Sequence, residues 1–249
     1  MNTKNNTVII SGGTAGIGLE LAKLFAEYGN KVIITGRTKE RLDKALQLLP
    51  GAIGIQCDIS KPEDTGALIR EIEMKHGEVN ILINNAGAAH VYNLLTENIN
   101  AEEKAREEML TNYLSIIRLN EKLLPLLQAQ KESAIVNVSS VVAYVPGKLA
   151  TYSASKAALH SYTQSLRIAL DKIASTVKVF ELMPPLVDTE FSAPIGGQNG
   201  IPASEVATRF MQGFRENELE IRVGKTEDIY HSYLSNPAEA LKMMNQDSK

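Results

Sequence analysis

Tyr152 and Lys156 are the two residues of this chain whose types and spacing most directly suggest acid–base chemistry. On a helix, side chains four positions apart project from one face about a turn apart. A lysine cation so placed lowers the cost of ionising a phenol, whose unperturbed pKa is about 10. Such a pair can act as general acid and base near neutral pH. Taken alone, however, the spacing is also typical of an ordinary exposed pair on a helix.

A third group that can take part is the hydroxyl of Ser139, which closes a strand-like run that begins at Ala134. From the end of that strand the hydroxyl could meet the same substrate oxygen as the tyrosine. A helix at residues 150–173 must then carry Tyr152 and Lys156, and its apolar positions keep a helical period. The rest of the chain is organised around this strand and this helix.

A glycine-rich turn near the N-terminus suggests a phosphate site. It follows a short β-branched strand at residues 8–10 and places Gly12, Gly16 and Gly18 ahead of a helix with an apolar stripe. A strand, a glycine turn and a helix in this order point backbone N–H groups and a helix N-terminus at a phosphate. Glycine turns also serve simple strand–helix packing, so the motif alone leaves both interpretations open.

Strands alternate with helices along the chain, which predicts one doubly wound parallel sheet of the Rossmann type with helices on both faces. Each motif follows the carboxyl end of a strand, where ligands bind in such sheets. We therefore expect an α/β protein with a single dinucleotide-binding and catalytic domain spanning residues 1–249. After the first strand, further strands are expected at residues 31–35, 52–56, 79–83, 134–139, 176–182 and 219–223.

Three other segments carry specific expectations. A long helix at residues 101–129 carries Asn112, and Pro125 is expected to kink or end it. Residues 190–202, rich in glycine and proline, are expected to form a substrate loop that closes over the site. Residues 224–249 are expected to form a polar C-terminal tail with one or two short helices.

Composition narrows the class of protein. Of the 249 residues, 44% are apolar and 22% are charged, as in soluble globular proteins. A net charge of -3 without a basic cluster gives no electrostatic case for nucleic acid or an anionic membrane. Cys57 is the only cysteine, and the N-terminus lacks the apolar core of a signal peptide. We expect a cytoplasmic protein with no nucleic-acid, membrane or metal partner, since the four histidines have no ligand-like spacing.

In this order and spacing, the motifs resemble those of the short-chain dehydrogenase/reductase family in its single-domain form. The resemblance covers roughly residues 7–223, and the ordered set is specific although each motif is weak. The motifs that carry it are the turn at residues 11–18, Asp58, the Asn84-Asn85-Ala86-Gly87 run, Asn112, Ser139 and the Tyr152–Lys156 pair.

The resemblance implies an oxidoreductase that transfers a hydride between NADP(H) and a carbonyl or secondary alcohol. Tyr152 is then the proton donor or acceptor at the substrate oxygen, and Ser139 stabilises the charge that develops on that oxygen. Lys156 lowers the pKa of Tyr152 and binds the nicotinamide ribose. Asn112 anchors a water that links Lys156 to solvent. These four residues are the expected catalytic set.

The resemblance also implies cofactor-binding residues at several strand ends. Asp58 is expected to contact the adenine, the backbone of residues 85–87 to lie along the adenosine ribose, and Val187 and Thr189 to bind the carboxamide. Asn84 is expected to stabilise the sheet instead. The full expected set is Gly12, Thr14, Gly16, Ile17, Gly18, Arg37, Thr38, Asp58, Ile59, Asn85, Ala86, Gly87, Tyr152, Lys156, Pro184, Val187 and Thr189.

One departure from the family pattern is the run Met183-Pro184-Pro185, where a Pro-Gly pair is usual. Proline has no backbone N–H and a fixed φ, so the chain beside the nicotinamide must differ from the common form. This run, the context of Arg37 and the sequence at residues 220–228 resemble a bacterial subgroup called DltE-like, whose substrate the resemblance does not supply.

The second strand is followed by Gly36, Arg37 and Thr38, which predicts NADP(H), with NAD(H) less favoured. A carboxylate at position 36 would accept from the adenosine 2′-hydroxyl and repel a 2′-phosphate, and glycine removes it. Arg37 can pair with that phosphate in bidentate fashion, and Thr38 could add a hydroxyl donor. The alternative is that Arg37 is merely the first solvated residue of the next helix.

Two other functions stay open at this point. A cofactor-binding regulator without turnover usually lacks the tyrosine or the lysine, and a sugar-nucleotide epimerase usually has a separate C-terminal substrate domain. We also expect a homo-oligomer, a homotetramer or otherwise a dimer. The candidate residues that line the substrate site are Val141, Tyr144, Leu149, Leu186 and Phe191.

Overall fold

The computed structural model describes residues 1–246, and its centre is a seven-stranded parallel sheet. The strands of the molecule are β1 (Thr7–Ser11), β2 (Lys31–Gly36), β3 (Ile53–Gln56), β4 (Ile81–Asn84), β5 (Ser133–Val138), β6 (Val177–Met183), β7 (Val187–Asp188), β8 (Ile201–Pro202) and β9 (Glu220–Arg222). Across the sheet the order is β3-β2-β1-β4-β5-β6-β9, and β7 pairs separately with β8. The predicted doubly wound sheet of the Rossmann type is confirmed.

Helices cover both faces of the sheet, as predicted. They are α1 (Gly16–Glu27), α2 (Lys39–Gln47), α3 (Pro62–Lys75), α4 (Ala101–Met109), α5 (Ser115–Gln128), α6 (Ala150–Lys172), α7 (Ala203–Glu216), α8 (Lys225–Ser235) and α9 (Pro237–Asn245). Among residues 1–246, none of these helices has the length and apolar character needed to cross a bilayer.

The sheet separates two apolar layers. Its central strands are buried on both faces, which is why they read as continuous β-branched runs rather than alternating ones. On one face α1 and α7 pack with an aromatic cluster in which the rings of Phe25 and Phe214 lie 6.1 Å apart. On the other face Leu68, Ile72 and Leu123 contribute to the second layer. This double burial fixes the strand ends, and with them the site.

The long helix expected at residues 101–129 is interrupted by a π-helical turn. The turn spans Leu110–Leu114 and contains Asn112, between α4 and α5. Single π turns within α-helices often occur at functional sites. Pro125 does not end the helix, because α5 continues to Gln128. Pro125 lies in the last turn, where its carbonyl still accepts the N–H of Ala129 at 3.2 Å.

The expected loop at residues 190–202 contains more regular structure than its composition suggests. Two short 3₁₀ turns, Ala193–Ile195 and Gly197–Asn199, lie within it, and its end forms β8 against β7. Ser192 is buried, and its hydroxyl donates to the carbonyl of Val187. Hydrogen bonds therefore tie the segment to the strand end that precedes it.

The C-terminal tail expected at residues 224–249 forms two helices, α8 and α9; positions 247–249 lie outside the described residues. The tail is not simply polar. Ile229 and Ala240 are buried with Val141 and Val145 in a small third apolar cluster. The amide of Asn245 also donates to the carbonyl of Pro146 at 2.9 Å. The tail thus packs on the segment between β5 and α6.

Buried amide side chains connect the central strands beneath the site. The Nδ2 of Asn84 donates to the Oδ1 of Asn120 at 2.8 Å and to the Oδ1 of Asn137 at 2.9 Å. Asn137 in turn donates to the hydroxyl of Thr163 at 2.9 Å. These bonds join β4 and β5 to α5 and α6. They support the structural role expected for Asn84.

Replacing Asn84 by alanine is predicted to destabilise the protein, because two buried carbonyl oxygens lose their donor. Each buried group left without a partner costs about 1–3 kcal/mol. The free energy of unfolding in urea measures the loss. The matched control is Asn93→Ala at an exposed position, which should change stability by about 0.5 kcal/mol or less. Equal effects of the two substitutions would contradict a structural role for this network.

Candidate functional site

Tyr152, Lys156 and Ser139 meet at the carboxyl end of β5. The buried Nζ of Lys156 donates to the carbonyl of Val138 at 2.8 Å and lies 5.6 Å from the centre of the Tyr152 ring. Ser139 follows Val138 directly, and its backbone N–H donates to the carbonyl of Leu182 at 2.9 Å. The exposed helical pair considered for Tyr152 and Lys156 is excluded, because only 3% of Lys156 is exposed.

Burial shifts both pKa values of the pair. Burial lowers the pKa of Lys156 to about 8, although the charge of Glu181 opposes this shift. The pKa of Tyr152 is raised, first by burial and then by the negative charge of Glu108. The lowering of the Tyr152 pKa that the sequence predicted is therefore not found, because burial outweighs the effect of the lysine. A neutral phenol beside an ammonium is the form needed for donating a proton.

Asn112 fixes the backbone that follows β4. Its Oδ1 accepts the N–H of Ala88 at 2.8 Å, and its Nδ2 donates to the carbonyl of Ala88 at 2.8 Å and to the hydroxyl of Ser155 at 2.9 Å. A Cβ added to Gly87 would lie 3.3 Å from Asn112 Oδ1. These bonds link the segment at Gly87 and Ala88 to the helix that carries Tyr152.

The glycine turn after β1 forms a backbone cradle. Gly12 and Gly16 have φ values of +66° and +54°, which side chains disfavour. Ala15 precedes α1 with no side-chain oxygen to cap it, so the first turn is left to other acceptors. Ser11 closes the cradle from below, because its hydroxyl accepts the N–H groups of Asn85 and Ala86 at 3.0 and 3.2 Å.

Close approaches link the predicted cofactor residues along this edge of the sheet. A Cβ at Gly12 would lie 2.8 Å from the Cα of Ala86, which leaves no room for a side chain. A Cβ at Gly16 would lie 3.1 Å from the Cγ2 of Thr189. At Gly18 it would meet the side-chain amide of Asn85 at 2.4 Å. The turn, the residues after β4 and those after β6 therefore form one continuous surface.

The predicted adenosine side lies at the ends of β2 and β3. Arg37 is exposed, and the hydroxyl of Thr38 caps α2 by accepting the N–H of Arg41 at 3.4 Å. The Oδ1 of Asp58 accepts the backbone N–H and the hydroxyl of Ser60. A Cβ at Gly36 would lie 2.6 Å from the Cγ2 of Thr14. Thr14 thus excludes a carboxylate-bearing side chain at position 36 unless it moves.

Two isoleucines of the predicted set have their side chains in the core rather than at the surface of the cradle. Ile17 is partly buried against the first apolar layer, and Ile59 is buried in the second. The carbonyl of Ile59 accepts a hydrogen bond from Arg118 at 3.2 Å. A cofactor contact at Ile59 would therefore come from its backbone.

The chain after β6 is shaped by its two prolines. The carbonyl of Pro184 accepts the N–H of Val141 at 2.9 Å. Val187 pairs with Ile201 in the small second sheet. The hydroxyl of Thr189 lies 3.0 Å from that of Ser192. Pro184, Val187 and Thr189 therefore line up from the catalytic strand end toward the glycine turn.

Three polar residues beside the site were missed by the sequence analysis. Glu181 is fully buried on β6, where its Oε1 accepts the Ser139 hydroxyl at 2.5 Å and its Oε2 lies 2.8 Å from the Nδ1 of His160. Glu108 on α4 is also fully buried, and accepts the N–H of His90 at 2.7 Å. A carboxylate between the apolar residues Phe180 and Leu182 of a central parallel strand was the signal available for Glu181.

The arrangement fits a nicotinamide dinucleotide. The cradle leaves backbone space where side chains cannot fit, beside a helix N-terminus that lacks a side-chain cap, which suits a pyrophosphate. The Lys156 ammonium lies 3.9 Å from the Cβ position of Gly87, on the far side of that cradle. The glycine turn suited to phosphate and the ammonium suited to acid–base chemistry therefore lie along the same edge of the sheet.

Comparison with known proteins agrees with this geometry. The sequence matches the short chain dehydrogenase family over residues 6–200. It is 35% identical to the uncharacterized oxidoreductase DltE of Bacillus subtilis (strain 168), over 98% of each chain. The chain therefore belongs to the short-chain dehydrogenase family of oxidoreductases, and the resemblance drawn from the motifs is confirmed.

Two solved structures show the same fold. A short chain dehydrogenase from Burkholderia cenocepacia J2315 in complex with NADP has a TM-score of 0.84 at 26% identity and covers 98% of both chains. A short chain dehydrogenase/reductase from Burkholderia phymatum in complex with NAD has a TM-score of 0.86 at 21% identity, covering 100% of this chain and 98% of the other. The fold alone does not decide between the two cofactors.

Lys156 is predicted to titrate at a pH well below that of a free lysine. In cofactor-free protein with isotope-labelled lysine, NMR should detect one ammonium with a pKa of about 8, whereas free lysine has a pKa of about 10.4. The signal should be missing from Lys156→Arg. Detection of every lysine near the free value would contradict the buried position of Lys156.

Proposed function

We propose that the protein is an NADP-dependent oxidoreductase that reduces a carbonyl or oxidises a secondary alcohol. The observation that carries the proposal is the buried Lys156 ammonium, held at the end of β5 beside Tyr152 and Ser139. The bound nicotinamide would supply the hydride. Gly12, Gly16 and the N-terminus of α1 would hold its pyrophosphate.

The side chains divide the acid–base work. Neutral Tyr152 donates its phenolic proton to the substrate oxygen during reduction and takes it back during oxidation. Lys156 stabilises the phenolate left behind, because an ammonium at this distance acts strongly in a site of low dielectric. Ser139 stabilises negative charge on the substrate oxygen. Each role requires the serine, tyrosine and lysine to lie together at the end of β5.

Asn112 is assigned an indirect role in proton supply. Its side chain bonds to Ala88 and Ser155, and we assign the water that links Lys156 to solvent to the π turn that carries Asn112. π turns disturb the regular pairing of helix carbonyls. Asn112 then acts by holding that turn and the Gly87 segment together.

Residues 190–202 are proposed as the substrate loop. The half-exposed ring of Phe191 lies 6.1 Å from that of Tyr152, so this segment covers the catalytic phenol. Glu190 pairs with Arg41 of α2 at 2.6 Å, which connects the loop to the adenosine side of the site. Closure of this loop over bound substrate would exclude water from the reaction.

The choice of NADP rests on the end of β2. Thr14 leaves no space for a carboxylate at position 36, and exposed Arg37 follows directly, where a guanidinium can pair with a 2′-phosphate. Neither the regulator nor the epimerase alternative gains a specific observation from the described residues.

A homo-oligomer, a tetramer or otherwise a dimer, is part of the proposal. Leu114, Ile168 and Ile173 are 48%, 56% and 64% exposed, beside the two helical segments that carry Asn112 and Tyr152. Large apolar side chains on neighbouring helices suit a contact with a second copy. Light scattering at micromolar concentration measures the mass directly.

A panel of ketones, aldehydes and secondary alcohols, monitored by NADPH absorbance, tests the proposed function. Turnover of at least one class of compound supports it, and the range of accepted carbon skeletons defines the substrate class. NADPH binding without turnover of any member of a broad panel would favour the regulator instead.

Tyr152→Phe is predicted to lower kcat by about 10²–10⁴, the usual contribution of a general acid. The ring and its packing are kept, so the Kd for NADPH should change by a few-fold at most. Tyr28→Phe, at the end of α1, is the matched control and should retain full activity. Undiminished turnover in Tyr152→Phe would rule out the proposed proton donor.

Arg37→Ala is predicted to weaken NADPH binding by about tenfold to hundredfold, the range for a charge-assisted hydrogen bond. NADH binding should change little, and the preference of the wild type should shrink at high salt. Lys39→Ala removes another exposed cation two residues later and serves as control. Equal affinity of the wild-type protein for NADH and NADPH would refute this assignment.

A further inference from the structure

Behind the catalytic serine lies a buried carboxylate, Glu181, to which the proposed reaction gives no part. Glu181 has no exposed surface and is flanked on β6 by buried Phe180 and Leu182. A buried carboxylate is costly unless it is paired and hydrogen-bonded. Here one oxygen accepts the Ser139 hydroxyl at 2.5 Å, and the other lies 2.8 Å from the Nδ1 of His160. The carboxylate is thus shared by a serine and an imidazole.

This contact limits what Ser139 can offer to a substrate. A serine hydroxyl has one hydrogen and two lone pairs. While the hydrogen of Ser139 is directed to Glu181, only lone pairs are left for the substrate oxygen. A lone pair cannot stabilise negative charge on that oxygen, whereas a donated hydrogen can. Ser139 must therefore turn away from Glu181 for the reaction to proceed.

His160 determines how strongly Glu181 holds that hydrogen. Burial lowers the pKa of His160, but the hydrogen bond to Glu181 and the charges of Glu181 and Glu220 outweigh it, so the pKa is raised overall. A protonated His160 neutralises much of the carboxylate charge and makes Glu181 a weaker acceptor for Ser139. When His160 is neutral, the Glu181 carboxylate keeps its full negative charge and accepts the Ser139 hydrogen strongly.

Other ionisable groups surround this pair on every side. Glu220 of β9 pairs with Glu181 in register and is itself neutralised by Arg222 at 3.0 Å and Arg167 at 3.5 Å. The ligand atoms of His160, Glu181 and Glu220 lie close enough together to hold a metal ion. The positive charges of the two guanidinium groups disfavour a cation there. The further groups that interact with Glu181 or His160 are Lys156 on α6 and Tyr144, whose ring lies 5.0 Å from the imidazole.

We propose that Glu181 and His160 are positioning residues that control the donor state of Ser139. When His160 is protonated, the Ser139 hydroxyl turns and donates to the substrate oxygen. When His160 is neutral, the Ser139 hydroxyl keeps its hydrogen bond to Glu181. The transition state is common to both directions, so reduction and oxidation are slowed alike as pH rises through the pKa of His160. This inference rests on the proposed oxidoreductase function.

The test is a suppression experiment on kcat/KM at a pH below the pKa that NMR gives for His160 in the wild type. His160→Asn removes the cation and should lower kcat/KM by about tenfold, a coupling within the range for contacting residues. Glu181→Gln in the same chain should restore most of the loss, because the neutral amide competes weakly for the serine hydrogen. In a Ser139→Ala background neither substitution should have a further effect. His231→Asn, at a histidine that is 68% exposed, is the control.

Two results would overturn the proposal. One is a His160→Asn loss that Glu181→Gln fails to restore, which indicates a purely structural role. The other is an equal loss in the Ser139→Ala background, which indicates that Glu181 acts through Lys156. If the wild type is active and His160→Asn matches it, this inference alone fails. If the wild type transfers no hydride, the proposed function fails first.

A measurement on the wild type covers the case in which a variant does not fold. NMR titration of cofactor-free protein should give a His160 pKa that coincides with one limb of the pH profile of kcat/KM, which reports on the free enzyme. Glu181→Gln should lower that NMR pKa, because the carboxylate that raises it is gone. A pH–rate profile without a limb at the measured pKa of His160 would contradict the proposed control.

Discussion

The hydrogen bond from the buried ammonium of Lys156 to the carbonyl of Val138 is the interaction on which the site depends. It connects the first turns of α6 to the end of β5, which brings the phenol of Tyr152 and the hydroxyl of Ser139 to the same place. Burial disfavours the charged form of a lysine, which accounts for the lowered pKa of Lys156. The fold tolerates this cost where a cation is needed beside a phenol.

The surrounding polar contacts keep that interaction in place. The buried amides of Asn84, Asn120 and Asn137 hold β4 and β5 to the helices behind them. Asn112 holds the segment after β4 to the helix of Tyr152 through Ala88 and Ser155. Such supporting contacts give catalytic groups the fixed geometry that loops alone provide less well. Glu181 likewise connects Ser139 on one side to His160 of α6 on the other.

Much of the fold could be predicted from local patterns. β-branched runs, glycine turns and amphipathic stripes are short-range signals, and parallel sheets place successive motifs at one edge. The four residues of the proposed catalytic set could be selected for the same reason, since each directly follows or lies within a recognisable element. Their convergence on Val138 and Gly87 could be expected from the topology alone.

Other features depend on contacts that sequence spacing does not encode. The π turn carries Asn112, whose side chain bonds to Ala88 and Ser155, and both of these residues are distant in the chain. The raised pKa of Tyr152 depends on burial and on Glu108, 44 positions earlier. Glu181 and His160 are joined across β6 and α6. The apolar contacts of the C-terminal helices were hidden because few of their residues are buried.

Isotope transfer tests the central claim most directly. With NADPH deuterated at the nicotinamide C4 and an accepted carbonyl compound, the account predicts an alcohol that carries deuterium on the former carbonyl carbon and a solvent-derived proton on oxygen. Mass spectrometry should find that label with the wild-type protein. An alcohol product without cofactor-derived deuterium, from either face of the nicotinamide, would contradict hydride transfer at this site.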